Sequence, residues 1–103
     1  FDAVFSANTA HIMSFAAVTA MFRLVGEVLA AEGIFCLYGP FNVDGQFTSE
    51  SNAGFDQSLR ARDPDMGIRD LADIDTLADA SNLERARRYA MPANNMLLVF
   101  ARA

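Results

Sequence analysis

Two short apolar runs, Ala3–Ala7 and Ile34–Tyr38, bracket one long amphipathic stretch, and this arrangement admits few folds. Within the stretch Val18, Met21, Phe22, Val25, Val28 and Leu29 recur at three- and four-residue steps, the spacing of a single helix face. Ser14 stands where an N-cap belongs. Gly33 stands where a C′ glycine would close the helix. Both flanking runs have the length and composition of buried strands, and Gly39-Pro40 stops the second. Strand, helix, strand is the βαβ unit. Its crossover is right-handed, which makes the two strands parallel.

A long connection follows, Phe41 to Arg69, rich in Asn, Asp, Gly and Ser. A structureless loop of that length is uncommon in a compact domain and usually functional. Inside it Phe55 to Arg62 reads as helical, with Ser51 or Asn52 as cap, and Asp63-Pro64 ends that helix because the residue before proline avoids the α region. Asp70 caps the next predicted helix, whose buried stripe is Leu71, Ile74, Leu77 and Ala78, and Asn82 is its left-handed terminator. Leu83–Met91 reads as a strand, Pro92–Asn95 as a turn, and Met96–Ala101 as an apolar strand. So short a connection makes the last two strands antiparallel. The expected order is β-α-β-(α)-α-β-β in one α/β domain.

Composition narrows function mainly by exclusion. The 52% hydrophobic share, with nine Phe, favours a packed body over disorder. A formal net charge of -5 argues against a general grip on nucleic-acid phosphates. Cys36 is the only cysteine and His11 the only histidine, so neither an intrachain disulfide nor a zinc cluster is expected, and Cys36 reads as a small buried hydrophobe. Asp70, Asp73, Asp75 and Asp79 fall on a solvated helix side or at its cap and lack a calcium-loop pattern, so no metal is expected. The apolar stretches are too short for a membrane span and no signal peptide opens the chain, which points to the cytoplasm.

Five pieces then occur in order: Tyr38-Gly39-Pro40-Phe41, Ser51 to Arg60, Arg62-Asp63-Pro64, Gly67-Ile68-Arg69-Asp70 and Met91 to Asn95. Together they resemble a family of methyltransferase-like proteins that includes methyltransferase-like protein 26, over nearly all 103 residues. The resemblance implies an α/β, Rossmann-like class I methyltransferase fold. Residues 1–103 would be its C-terminal half, from the fourth strand onward, as a mixed sheet with two parallel strands and a terminal antiparallel hairpin. The half carrying the glycine-rich cofactor turn would be absent, since no G-x-G-x-x-G or G-x-G-x-G run occurs.

Ligands of open α/β sheets bind beyond the carboxyl ends of the parallel strands. The resemblance places Asn8 in the loop facing the methyl donor, S-adenosylmethionine, as a cofactor contact. It gives His11 the part of a catalytic base. Alternatively Asn8 shapes the loop and His11 packs under the helix. Tyr38, Gly39 and Pro40 either line the acceptor pocket or simply end the strand. Ser51 and Asn52 either contact substrate or cap a helix. Asp56 and Arg60, four apart, share a helix face and can pair; otherwise Arg60, Arg62 and Arg69 can clamp an anionic acceptor. Asn94 and Asn95 supply turn geometry, with Asn94 also near the pocket.

The expected function is therefore the acceptor side of a methyltransferase acting on a small molecule, inactive alone. A binding or scaffold protein that kept the fold without the chemistry is the alternative. A chain starting at this strand would also expose an unpaired edge and self-associate through it.

Overall fold

The computed structural model describes residues 1–103. Its elements are β1 (Ala3–Ala7), α1 (Phe15–Val28), β2 (Ile34–Gly39), β3 (Phe41–Asn42), α2 (Glu50–Arg62), β4 (Arg69–Asp70), α3 (Leu71–Ala80), β5 (Leu83–Met91) and β6 (Asn95–Arg102). Four strands form one mixed sheet in the order β1-β2-β6-β5. β1 and β2 run parallel, with Ala3 opposite Ile34 and Ala7 opposite Tyr38. β6 lies antiparallel to β2 and pairs antiparallel with β5 on its other side.

The core lies on one face of this sheet. Phe35 and Leu37 of β2 and Leu98 and Phe100 of β6 project toward Val18, Phe22 and Val25 of α1 and Leu71, Ile74 and Ala78 of α3. Phe22 sits at the centre, with its ring edge-on to Phe35 at 5.4 Å and to Phe100 at 5.3 Å. Such pairs add about 0.5–1.5 kcal/mol each beyond the area they bury. The other face carries no helix. Phe5 is 66% exposed there and Ile34 41%, with Cys36, Tyr38, Leu97 and Val99 only partly covered. Cys36 thus lies on this open face and not in the core, although partial burial still raises its thiol pKa.

Several boundaries differ from the sequence reading, each for a local reason. α1 begins at the expected cap, where the Ser14 hydroxyl accepts from Ala17 N, but it ends at Val28 and not at Gly33. The lead into β1 takes over its last turn: Phe1 N donates to Val28 O at 2.7 Å and Ala30 N to Phe1 O. Gly33 serves close approach instead, since a Cβ there would lie 2.9 Å from Asp2 O. α2 starts earlier than expected because Ser49 is the cap, accepting from Asn52 N, so Ser51 and Asn52 fall in its first turn.

The long connection is closed by a two-residue parallel pair, β3 on β4, with Phe41 opposite Arg69 and Asn42 opposite Asp70. The carboxylate of Asp70 works on both sides of this closure. Oδ2 caps α3 at Ala72 N as expected, and Oδ1 accepts from Gly45 N of the preceding turn. Asn82 adopts the left-handed conformation (φ 59°) that ends α3. β5 carries a bulge between Arg85 and Arg87, and the turn to β6 places Ala93 and Asn94 at φ 60°. No helix is long and apolar enough to cross a membrane.

Candidate functional site

Because β1 and β2 are parallel and in register, their carboxyl ends emerge side by side. Asn8 N donates to Tyr38 O at 2.9 Å, extending the ladder by one bond. The chain then turns at Asn8 through the left-handed region (φ 56°), which Asn tolerates better than most residues. Thr9 O accepts from Ile12 N and Met13 N, while the Ser6 and Thr9 hydroxyls meet at 2.6 Å. This tight turn drives His11 inward, to 5% exposure. Its imidazole lies beside Gly39, where an added Cβ would come 3.7 Å from Nδ1, and edge-on to the ring of Phe55 at 5.4 Å.

A cavity of about 430 Å³ opens beside His11. Asn8, His11 and Pro40 supply the wall at the strand ends, Ser51, Asn52 and Phe55 the wall from α2, and Ala93 and Asn95 the wall from the β5–β6 turn. Gly39 touches this wall through His11. Tyr38 backs it: its phenol oxygen accepts from Asn95 Nδ2 at 3.3 Å. Asn94, expected near the pocket, does not line the cavity; its carbonyl accepts from Asn52 Nδ2 at 3.3 Å.

The two arginines behind the wall are engaged elsewhere. Arg69 donates from Nε to Ala10 O and from Nη2 to Met13 O and Asp65 O, and its guanidinium stands 5.6 Å from the centre of the Phe15 ring. It thereby pins the His11 turn from below, helped by Gly67 N donating to His11 O. Burial lowers the Arg69 pKa, with Arg60 acting in the same direction and Asp56, Asp65 and Asp73 opposing. Arg60 pairs with Asp56 at 2.9 Å, the helix-face pair read from the four-residue spacing. Neither Arg60 nor Arg69 lines the cavity, and Arg62 is exposed at the end of α2. Burial, and then the charge of Arg69, lower the pKa of His11 from its ordinary 6.5, so its imidazole is neutral at pH 7.

Sequence reasoning thus located five of the lining positions, Asn8, His11, Pro40, Ser51 and Asn52. It missed Phe55, Ala93 and, as a lining residue, Asn95. The available signal was Phe55 itself, a large aromatic on a mostly polar helix.

The family model described as protein of unknown function, DUF938, matches residues 1–102. The chain belongs to the DUF938 family. This DUF938 chain is also similar to solved structures. They include the mitomycin 7-O-methyltransferase MmcR (16% identity, TM-score 0.84, 99% of this chain and 30% of that one). CalO1, a methyltransferase in calicheamicin biosynthesis in its SAH-bound form, matches at 18% identity and TM-score 0.81, over 99% of this chain and 30% of that one. A structure described as a pericyclic reaction enzyme matches at 13% and 0.84, over 99% and 26%. The chain spans about 30% of the length of the first solved structures it matches. At these identities the likeness establishes the fold: the mixed sheet is that of the C-terminal portion of class I methyltransferase structures.

Proposed function

We propose that residues 1–103 form the acceptor-side half of an S-adenosylmethionine-dependent methyltransferase acting on a small molecule, akin to methyltransferase-like protein 26. The observation that carries this reading is the cavity at the paired ends of β1 and β2, with a neutral buried histidine in its wall. Ligands of open α/β sheets bind at this place. The MmcR and CalO1 structures are methyltransferases, and CalO1 holds SAH.

The lining is compatible with the reactive end of such a donor. No cationic side chain lies in the wall to repel a sulfonium, and Asn8 offers an amide at the turn after β1. The nucleoside end finds no glycine-rich turn among these residues, and in this reading its site belongs to the half of the fold outside 1–103. When bound, S-adenosylmethionine supplies an electrophilic methyl group. The residues of this chain hold and orient the acceptor, which is where most of the rate advantage in such a site arises. Asn8 positions it at the strand end, Ser51 and Asn52 contact it from α2, and Phe55 and Pro40 shield it from water. Neutral His11 accepts the proton of an attacking hydroxyl.

In this reading residues 1–103 alone transfer no methyl group. Calorimetric titration with S-adenosylmethionine tests it: tight binding by the 103-residue chain overturns the half-fold assignment. A complete protein carrying this domain but lacking affinity for S-adenosylmethionine turns the reading to a binding or scaffold role. A structure described as a pericyclic reaction enzyme has the same fold, so the fold alone does not fix the chemistry.

A further inference from the structure

The orientation of two asparagine amides defines what this cavity can hold. Both hydrogens of Asn52 Nδ2 are spent within the protein, on Thr48 Oγ1 at 3.1 Å and Asn94 O at 3.3 Å. Both hydrogens of Asn95 Nδ2 are likewise spent, on Tyr38 Oη at 3.3 Å and Pro92 O at 3.2 Å. In each case one partner is a backbone carbonyl, which can only accept, so neither amide can be turned over without losing a bond. The polar atom each side chain has left for a ligand is its Oδ1, an acceptor. His11, kept neutral by burial, adds one bare nitrogen and one N–H. No cationic side chain lines this wall: the guanidinium of Arg69 donates to three carbonyls behind it and that of Arg60 to Asp56.

From this arrangement we infer that the Asn52 and Asn95 oxygens make the cavity select a ligand bearing hydrogen-bond donors, such as a phenol or alcohol, over one that carries acceptors alone. A ligand with acceptors alone could take hydrogens from the Asn8 amide or the Ser51 hydroxyl but would leave the Asn52 and Asn95 oxygens unpaired. The ring of Phe55 and the face of Pro40 give a flat apolar body something to lie against. The inference rests on the cavity being the acceptor pocket and adds the chemical class of the acceptor.

The test compares three probes of similar size, resorcinol, 1,3-dimethoxybenzene and benzoate, by ¹H–¹⁵N NMR titration of the protein without any methyl donor. Resorcinol is expected to shift the side-chain amides of Asn52 and Asn95 and to bind at least about tenfold more tightly than either other probe, about 1.4 kcal/mol. Asn95→Ala should narrow the resorcinol-to-dimethoxybenzene ratio several-fold. Benzoate binding as tightly as resorcinol, equal binding of resorcinol and its dimethyl ether, or no shift at these amides with any probe overturns the inference. Since no methyl donor is present, the outcome is independent of S-adenosylmethionine affinity. Selective resorcinol binding by a protein that ignores S-adenosylmethionine would retire the methyltransferase reading and leave this one standing.

Discussion

Asp56 Oδ1 accepts the backbone N–H of Ile68 at 2.8 Å, joining the middle of α2 to the segment that enters β4. Asp56 is 7% exposed, and its other oxygen receives Arg60 Nε. The two bonds differ in worth. The Arg60 side chain is 53% exposed, and such a pair contributes about 0–1 kcal/mol. The Ile68 amide is buried, so leaving it without an acceptor costs about 1–3 kcal/mol. Asp56→Ala is therefore expected to lower unfolding free energy in urea by about 2–3 kcal/mol, and Arg60→Ala by less than about 1 kcal/mol. Equal losses in the two variants would contradict this division.

Gly67 sits between these groups at φ 155°, and a Cβ there would come 2.7 Å from Cζ of Arg60. The Arg60 side chain can swing away, but the backbone angle cannot be relieved without moving the bond from Gly67 N to His11 O. Gly67→Ala should cost about 1–3 kcal/mol. The same loss should persist in an Arg60→Ala background, which thermal melts of the single and double variants would show. Full recovery in the double variant would mean that side-chain crowding, not backbone strain, sets the requirement.

The parts of the fold legible in the sequence were those written in periodicity. The stripe from Val18 to Leu29 and the apolar runs on either side of it gave α1 and the parallel pair β1 and β2, and Asp70 and Asn82 marked both ends of α3. Phe41–Asn42 and Arg69–Asp70 were not readable as strands, since two residues carry no alternation and pair only because the chain between them closes a loop. For the site, position at a strand end was enough to find Asn8, His11 and Pro40. The tasks of Arg60 and Arg69 were only half legible. The spacing of Asp56 and Arg60 foretold one pair, whereas two of the three carbonyls around Arg69, those of Ala10 and Met13, come from residues brought close by folding.

The bare sheet face carries its own consequence. Phe5 on the edge strand β1, Ile34 on β2 and Tyr89 on β5 are 66%, 41% and 48% exposed, and β1 has no partner on its outer side. An apolar face beside an unpaired edge favours pairing with another chain. Residues 1–103 alone are expected to self-associate, with light scattering giving a mass above that of one chain. Phe5→Ser with Ile34→Thr should shift the distribution toward the monomer. A monodisperse wild-type monomer would contradict the expectation.

His11 links the site to stability through pH. Its folded pKa lies below the ordinary 6.5 because burial, and then Arg69, disfavour the imidazolium. Between that lowered value and 6.5 the unfolded chain binds more protons than the native one, so unfolding becomes easier as pH falls through this window. The contribution is complete above 6.5 and lost on acidification, with a slope of at most about 1.4 kcal/mol per pH unit for one group. His11→Gln removes the titration, so the difference in unfolding free energy between wild type and variant should change with pH below 6.5 and stay flat above it. Carboxylates titrating at lower pH act on both proteins alike and cancel. A difference that is constant across the window, or one that grows in favour of the wild type on acidification, would mean that the imidazole is not held neutral. A histidine held neutral in this way also keeps a free acceptor nitrogen in mildly acidic solution, so a reaction using His11 as base should retain its rate below pH 6.5.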